Sequence, residues 1–291
     1  MEYLSRNQIN TEKWDKRIAA SPIENIFCYS WYLDATSKNW GAFVEGDYES
    51  VFPVPYTNKL SVKSLYQPSF TRELDIFGDN IQWEELMIRF TKLFRSIHFR
   101  NRDKGIVPGG TERVHQQINL KEELNYSTNA KRLIKKASQQ FKYIESDNVD
   151  QLVALFHETA FKKIDSISNE DLNRLTTLMN NALQNGHGQL IVVEQNGEMV
   201  AGGFFLKDKK RITYLKGAAT NEAKKSGAMF GLIDHAIQSF MASYETFDFG
   251  GSDVENVANF YKKFGAEDRI YYNYLIDNLP NWFKSLRKIK P

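Results

Sequence analysis

Residues 247–266 read FDFGGSDVENVANFYKKFGA, and this stretch decides how the fold is interpreted. A short strand ends in Gly250 and Gly251, where two glycines allow another backbone or a ligand to approach closely. Asp248 alternates with two phenylalanines, so its side chain is predicted on the opposite face of that strand. A helix then carries Tyr261 and ends at a glycine four positions later, as helices often do.

Upstream of this stretch, another strand leads through a polar loop into a helix. The pattern predicts a strand over 212–218 and a helix over 228–244. The free N–H groups and the dipole of a helix N-terminus favour phosphate, although a plain strand-to-helix turn with solvated lysines fits the same residues. Candidates for holding a phosphate-bearing donor are Leu215, Lys216, Gly217, Lys224, Lys225, Ser226, Gly227 and Ala228.

Composition limits the function classes. The 291 residues carry 38 basic and 36 acidic side chains, a balance that argues against a general nucleic-acid binder. The length predicts two domains or lobes. The lone Cys28 excludes an intramolecular disulfide and disfavours a cysteine-based metal site. No secretory signal opens the chain and no apolar run reaches the ~18 residues of a transmembrane helix, so we expect a cytoplasmic protein.

Motifs of several other enzyme classes are absent from the sequence. It contains neither G-x-x-x-x-G-K-[ST] nor G-x-G-x-x-G, so it lacks the phosphate-binding loops of P-loop and Rossmann folds. His157-Glu158 opens like a zincin motif, but Phe161 stands where the second histidine belongs. The five histidines are scattered without metal-ligand spacing, and we predict no metal site.

The order of predicted elements repeats in the two halves of the chain. Each half reads helix, strand, turn, strand, strand, helix, strand, without residue identity between them. The pattern gives an N-terminal lobe over 1–124 and a C-terminal lobe over 125–291 that ends in a basic helix. Hairpins replace βαβ crossovers, so we predict an α/β (α+β) protein of two lobes, each a mixed, largely antiparallel sheet flanked by helices.

In this order, the stretches resemble the GNAT acyltransferase superfamily. The segment 215–233 looks like its acyl-CoA pyrophosphate site, and residues 261–265, YKKFG, resemble its Tyr-x-Lys-x-Gly-Phe ending. The resemblance implies two GNAT-like lobes and N-acyl transfer from an acyl-CoA co-substrate such as acetyl-CoA, with no tightly bound cofactor. It also implies that Tyr261 protonates the departing CoA thiolate.

The closer resemblance is to the Fem-like branch, which duplicates the GNAT fold in one chain. Residues 247–252 and 257–266 are typical of that branch, and 129–137, NAKRLIKKA, resemble the basic segment that opens its second lobe. Lys135 and Lys136 in this segment are candidates for gripping donor phosphate, with a solvated helix face as the alternative.

The loop departs from the GNAT pattern at one position, which leaves other functions open. The pattern has Gly or Ala two residues after its glycine, whereas this chain has Met229 two residues after Gly227. One alternative is Fem-like, aminoacyl-tRNA-dependent transfer to a peptidoglycan precursor, with tRNA as a partner. Another is a non-catalytic binding module on a decayed GNAT scaffold.

The acyl-transfer hypothesis assigns roles to further groups. Backbone N–H groups near 215–217 would stabilise the oxyanion, and Asp248 would orient or deprotonate the acceptor amine. Tyr66 and Gln67, beside prolines that interrupt apparent strands, are candidates for lining an acceptor cleft. We expect a small-molecule or peptide amine as acceptor, contacted also by Gly250, Gly251 and Ser252.

The C-terminal segment 279–290 is basic and carries an apolar stripe of Trp282, Leu286 and Ile289. Such a helix could lie on an anionic membrane. A terminal helix docked on the protein body explains the same stripe, and we favour it because the segment is short.

Overall fold

The computed structural model describes residues 1–159, 168–251 and 255–288. The strands in these ranges are β1 (Glu2–Ser5), β2 (Asn39–Glu45), β3 (Ser50–Lys59), β4 (Val62–Leu65), β5 (Ser96–Asn101), β6 (Thr111–Asn119), β7 (Lys142–Ser146), β8 (Gly188–Gln195), β9 (Glu198–Lys207), β10 (Arg211–Ala219), β11 (Thr246–Asp248) and β12 (Glu267–Asp277). The helices are α1 (Thr11–Ala19), α2 (Ser30–Thr36), α3 (Trp83–Leu93), α4 (Thr128–Ser138), α5 (Val149–Thr159), α6 (Asn169–Gln184), α7 (Asn221–Lys225), α8 (Ala228–Phe240), α9 (Glu255–Lys262) and α10 (Asn281–Lys288). Across the same ranges, no helix combines the length and apolar character needed to cross a membrane.

By its internal contacts, the chain forms two compact units. Unit 1 comprises Met1–Arg113 and the chain from Ile270 onward, and unit 2 comprises Val114–Arg269. These junctions differ from the boundary after residue 124, because that boundary follows the repeat of elements in the sequence and not the contacts. By the same contacts, α10 belongs to unit 1.

The two units have the same sheet topology. The sheet of unit 2 has the order β7-β8-β9-β10-β11-β6, antiparallel throughout except for the parallel pair β10 and β11. Unit 1 has the order β1-β2-β3-β4-β5-β12, with β4 and β5 as its parallel pair. The predicted fold class, two lobes with mixed and largely antiparallel sheets flanked by helices, is confirmed.

The sixth strand of each sheet comes from the opposite half of the sequence. The last strand, β12, pairs with β5 so that Tyr272 lies opposite Asn101. Strand β6 precedes α4 in the chain, yet it pairs with β11 and places Ile118 opposite Phe247. Each sheet is therefore completed by a strand that the linear repeat alone would assign to the other half.

Helix α8 is central to the core of unit 2 because one of its sides is apolar. Phe230, Ile233 and Ile237 recur at helical spacing and are buried. The helix packs on α4, β8, β9 and β10. The core it joins includes Val193, Phe205, Ile212, Phe247, Phe249 and Tyr261.

The segment that leads into α10 docks on unit 1. Leu279 and Phe283 form a small buried cluster with Val62. Trp282 beside them is 52% exposed. These contacts support docking of the C-terminal segment on the protein body, but through Leu279 and Phe283 and not through the predicted stripe residue Trp282. Ile289, which belonged to the predicted stripe, lies outside the described residues.

Gly231 tests how closely α8 packs against its neighbours. A Cβ at this position would overlap the hydroxyl of Tyr143 and lie 2.9 Å from the Cβ of Ala137. Alanine normally favours a helix over glycine by about 1 kcal/mol. We nevertheless expect Gly231→Ala to destabilise the protein by about 1–3 kcal/mol in urea unfolding, because the methyl group overpacks the core. Adding Tyr143→Phe should recover part of the loss, and a Gly231→Ala variant more stable than wild type would contradict the close approach.

Candidate functional site

Strand β10 is paired differently on its two sides. With β9 the register shifts between Tyr214 and Lys216, so Leu215 is the extra residue of a β-bulge. With β11, β10 pairs only at 211–213. After residue 213, no strand of the described chain pairs with this side of β10, because the backbone of β11 turns after Asp248. The backbone of β10 next to the bulge is therefore left for another group to contact.

Two glycines build the turn that ends β11. Gly250 and Gly251 have φ values of +78° and +83°, a conformation that strains other residues. A Cβ at Gly250 would lie 2.9 Å from the carbonyl oxygen of Tyr214, and a Cβ at Gly251 would lie 2.9 Å from the Cβ of His115. Both conformation and space therefore require glycine here, as the sequence predicts.

A cavity of about 620 Å³ lies in unit 2 where β10 and β11 part. Its volume falls within the roughly 300–1,000 Å³ typical of small-molecule sites. It is lined by Phe156, Tyr214, Leu215, Lys216, Gly217, Lys224, Met229, Phe230, Phe249, Gly250, Gly251, Asn256, Val257, Phe260 and Tyr261.

The cavity brings together seven of the seventeen site residues predicted from the sequence. Those that line it are Leu215, Lys216, Gly217, Lys224, Gly250, Gly251 and Tyr261. Those of unit 2 that do not are Lys135, Lys136, Lys225, Ser226, Gly227, Ala228 and Asp248. Ser252 lies outside the described residues. The sequence predictions did not include Phe156 or Val257. Phe156 lies on an amphipathic helix, a pattern that does not indicate a ligand site. Val257 could have been identified, because it lies one helical turn before Tyr261.

Tyr261 forms one wall of the cavity. Helix α9 buries its ring against Phe249, with centroids 4.4 Å apart and nearly parallel planes, and against the edge of Tyr214 at 6.4 Å. Burial and the nearby charge of Asp248 raise the pKa of Tyr261. The phenol therefore keeps its proton at neutral and mildly alkaline pH and can donate it to a bound group.

Asp248 is completely buried on the face of β11 opposite its two phenylalanines, and it supports the turn. Its Oδ1 accepts the backbone N–H of Gly250 at 2.8 Å. Its Oδ2 lies 3.8 Å from Nε2 of His115 and 3.8 Å from the guanidinium of Arg211. The carboxylate thus holds the glycine turn in place without lining the cavity.

Lys216 is a half-buried cation on the bulged strand. Its ammonium lies 4.0 Å from the ring centroid of Phe156 on α5, a close cation–π contact. Burial lowers the pKa of Lys216 to about 8. Its amine is therefore divided between neutral and charged forms near physiological pH.

The N-terminus of α8 borders the cavity. Ala228 and Met229 occupy its first two positions, where backbone N–H groups have no acceptor within the helix. Met229 and the exposed Lys224 line the cavity at this end. These groups could hold an anion, and α4, which carries Lys135 and Lys136, packs on α8. Lys135 is exposed and Lys136 is partly exposed.

Tyr66 and Gln67 lie in unit 1, where their polar atoms connect segments of the chain. The hydroxyl of Tyr66 accepts the backbone N–H of Lys38 at 2.8 Å. Gln67 accepts the backbone N–H of Arg100 and donates to the carbonyl oxygen of Thr71, both at 2.9 Å. Gln67 thereby bridges to β5 beyond the point where β4 ends.

The part of the chain that holds the cavity matches a known family. Residues 125–263 match the model of the family described as acetyltransferase (GNAT) domain. This region is a GNAT domain. It contains every residue that lines the cavity. No curated protein sequence matches the chain significantly.

Solved structures share the fold over nearly the whole chain. FemX aligns with a TM-score of 0.68 at 11% identity, covering 100% of both chains. The C-terminal domain of a putative lysylphosphatidylglycerol synthetase from Agrobacterium fabrum aligns at 0.60 and 12%, covering 95% of this chain and 94% of that one. A tandem GNAT protein from the clavulanic acid biosynthesis pathway aligns at 0.50 and 7%, covering 96% and 99%. The predicted resemblance to the GNAT superfamily and its Fem-like branch is confirmed at the level of fold.

The contacts of Gln67 predict a structural effect of its removal. Gln67→Ala leaves the N–H of Arg100 and the carbonyl of Thr71 without this partner, so we expect a loss of about 1–3 kcal/mol in urea unfolding. Gln67→Glu keeps an acceptor for Arg100 and should lose less. An Ala variant of unchanged stability with a raised KM for an acceptor amine would instead place Gln67 in an acceptor cleft.

Proposed function

We propose that unit 2 is an N-acyltransferase that moves an acyl group from acyl-CoA to the amine of a small molecule or peptide. One observation carries the proposal: a single cavity joins the unpaired side of β10, the N-terminus of α8 and the buried phenol of Tyr261. An acyl transferase needs an oxyanion site, an anchor for the donor phosphates and a proton donor for the leaving group. The cytoplasmic location predicted from the sequence is part of the same proposal.

The donor would lie along the cavity with its phosphates at α8. The first N–H groups of α8 and the ammonium of Lys224 would bind the phosphates. The thioester carbonyl would then reach the backbone of 215–217, whose N–H groups would stabilise negative charge on its oxygen. The mostly apolar walls suit the chain between these two ends.

The proposed reaction forms one bond and breaks one. The acceptor nitrogen attacks the carbonyl carbon, the C–N bond forms, and the C–S bond of the thioester breaks. Tyr261 donates its proton to the departing sulfur, a role that its protonated state supports. The open cavity argues for this enzyme over a binding module on a decayed scaffold, whose cleft would be filled by side chains.

Tyr261→Phe tests the assignment of the proton donor. We expect its kcat to fall about 10²-fold or more, because the ring still packs but no proton is available. The measurement is thiol release from acetyl-CoA with a panel of amino acids, dipeptides, amino sugars and polyamines, with the N-acetyl product identified by mass spectrometry. Tyr272→Phe, on β12 in unit 1, is the matched control and should keep its activity. Unchanged turnover in Tyr261→Phe would remove this residue from the mechanism.

A second candidate is supported by Met229 and by the fold of FemX. Met229 lines the cavity at the position where the GNAT resemblance implies Gly or Ala. The Fem-like resemblance implies transfer from aminoacyl-tRNA to a peptidoglycan precursor. The similar domain of a lysylphosphatidylglycerol synthetase is named for an aminoacyl product, which also supports an aminoacyl donor.

Met229→Ala separates the two donors. If acyl-CoA is the donor, the smaller side chain opens the second N–H of α8 to phosphate, and acetyl-CoA should bind about fivefold more tightly, equivalent to roughly 1 kcal/mol. Titration calorimetry of both proteins measures this, with Met199→Ala on β9 as the control. Failure of both proteins to bind acetyl-CoA at millimolar concentration, together with protection of the ester of alanyl-tRNA from hydrolysis, would favour the second candidate.

A further inference from the structure

The cavity holds few groups that could accept a proton. Among its described lining residues, none is Asp, Glu or His. The titratable groups are the phenols of Tyr214 and Tyr261 and the amines of Lys216 and Lys224. Burial raises the pKa of both phenols, so neither is a base at neutral pH. Lys224 is exposed, which leaves Lys216 as the half-buried amine of the cavity.

Lys216 is half-buried without a compensating carboxylate in the part of the chain that the structure describes. Its ammonium contacts the ring face of Phe156. Burying an ammonium without a carboxylate partner is costly, and such groups are concentrated at functional sites. Charged and titratable groups on the elements packed against β10 are Asp150, His157 and Glu158 on α5, Glu198 and Lys207 on β9, Asp234 and His235 on α8, and Asp248 on β11. The pKa of Lys216 is nevertheless lowered by burial and not by any of these charges.

The sequence suggested Asp248 as the group that handles the acceptor amine, but its surroundings suit another task. Asp248 does not line the cavity, and one of its oxygens accepts the N–H of Gly250. Lys216 lies directly after the bulge residue, on the strand whose backbone would hold the oxyanion. On the basis of this placement, we propose that Lys216 is the general base that takes the proton of the attacking acceptor amine. The inference rests on the proposed acyl transfer.

The proposed step balances as follows. The acceptor nitrogen forms its bond to the carbonyl carbon, and the proton it loses moves to the neutral amine of Lys216. The C–S bond breaks, and the sulfur takes a proton from Tyr261. Water then removes the proton from Lys216 and returns one to the phenol, so the net reaction gives an amide and a thiol.

Two substitutions separate a base from a fixed positive charge. Lys216→Met removes both functions, whereas Lys216→Arg keeps the charge but cannot accept a proton near neutral pH. We expect both to lower kcat by about 10²–10⁴-fold. Wild-type kcat/KM, calculated on the concentration of the neutral acceptor amine, should rise with pH to a plateau above about 8, because the base is neutral above its pKa, and both variants should lose this rise. Lys207→Met, on β9 outside the cavity, is the matched control.

A labelling experiment measures the protonation of Lys216 without relying on enzyme activity. Limiting acetic anhydride reacts only with neutral amines, and mass spectrometry gives the pH dependence at each lysine. Lys216 should reach half of its plateau near pH 8, below the ordinary lysine value of about 10.4. Thermal unfolding checks the fold of each variant, and we expect Lys216→Met to unfold at or above the wild-type temperature.

Each outcome bears on a separate claim. If wild type transfers no acyl group to any amine of the panel, the proposed function and this inference both fail. If wild type is active and Lys216→Met stays within twofold, only the inference fails. Retained activity in Lys216→Arg would show an anion-binding role, and an acylated Lys216 formed during turnover would show a nucleophile; either would overturn the assignment of a base.

Discussion

The pairing of β10 with β11 over only three residue positions is the constraint on which the site depends. Because the pairing stops, one side of β10 meets a cavity instead of a strand. The bulge at Leu215 interrupts β10 and the turn at Gly250 and Gly251 ends β11, both at the place where the two strands part. The stack of Tyr261 on Phe249 then supplies a wall. Continued pairing of the two strands would have left no room for a ligand.

The two units show that the shared topology does not by itself make a site. In unit 1, β4 and β5 pair in parallel at two positions and then also part. There, however, Arg100 on β5 has its N–H bound by Gln67 and its carbonyl oxygen bound by the N–H of Leu74. The segment after β4 therefore occupies backbone groups of the kind left open in unit 2. A local stretch of chain, and not the fold, makes the halves unequal.

Features with a local cause could be predicted from the sequence, and features with a tertiary cause could not. The dipeptide Asn196-Gly197 is typical of a two-residue hairpin, and it joins β8 to β9. The apolar face of α8 and the glycine turn after β11 could also be predicted from local sequence patterns. The sequence pattern of 63–70 favours one continuous strand, yet β4 ends at Leu65 because the following residues bridge to β5. Two other features depend on contacts between distant segments, which no local sequence pattern indicates. One is the strand that completes each sheet, and the other is the contact between Phe156 on α5 and Lys216.

The exchanged sixth strands also have a consequence for how the protein folds. Tyr274 on β12 donates a hydrogen bond to the carbonyl of Asp103, a residue 171 positions earlier in the chain. Closing so long a loop is entropically costly and slow compared with forming hairpins. The sheet of unit 1 cannot be complete until the ribosome has released β12. A fragment cut between the two sequence halves would leave β5 and β11 as bare edges, which makes each half a template for aggregation when it is produced alone.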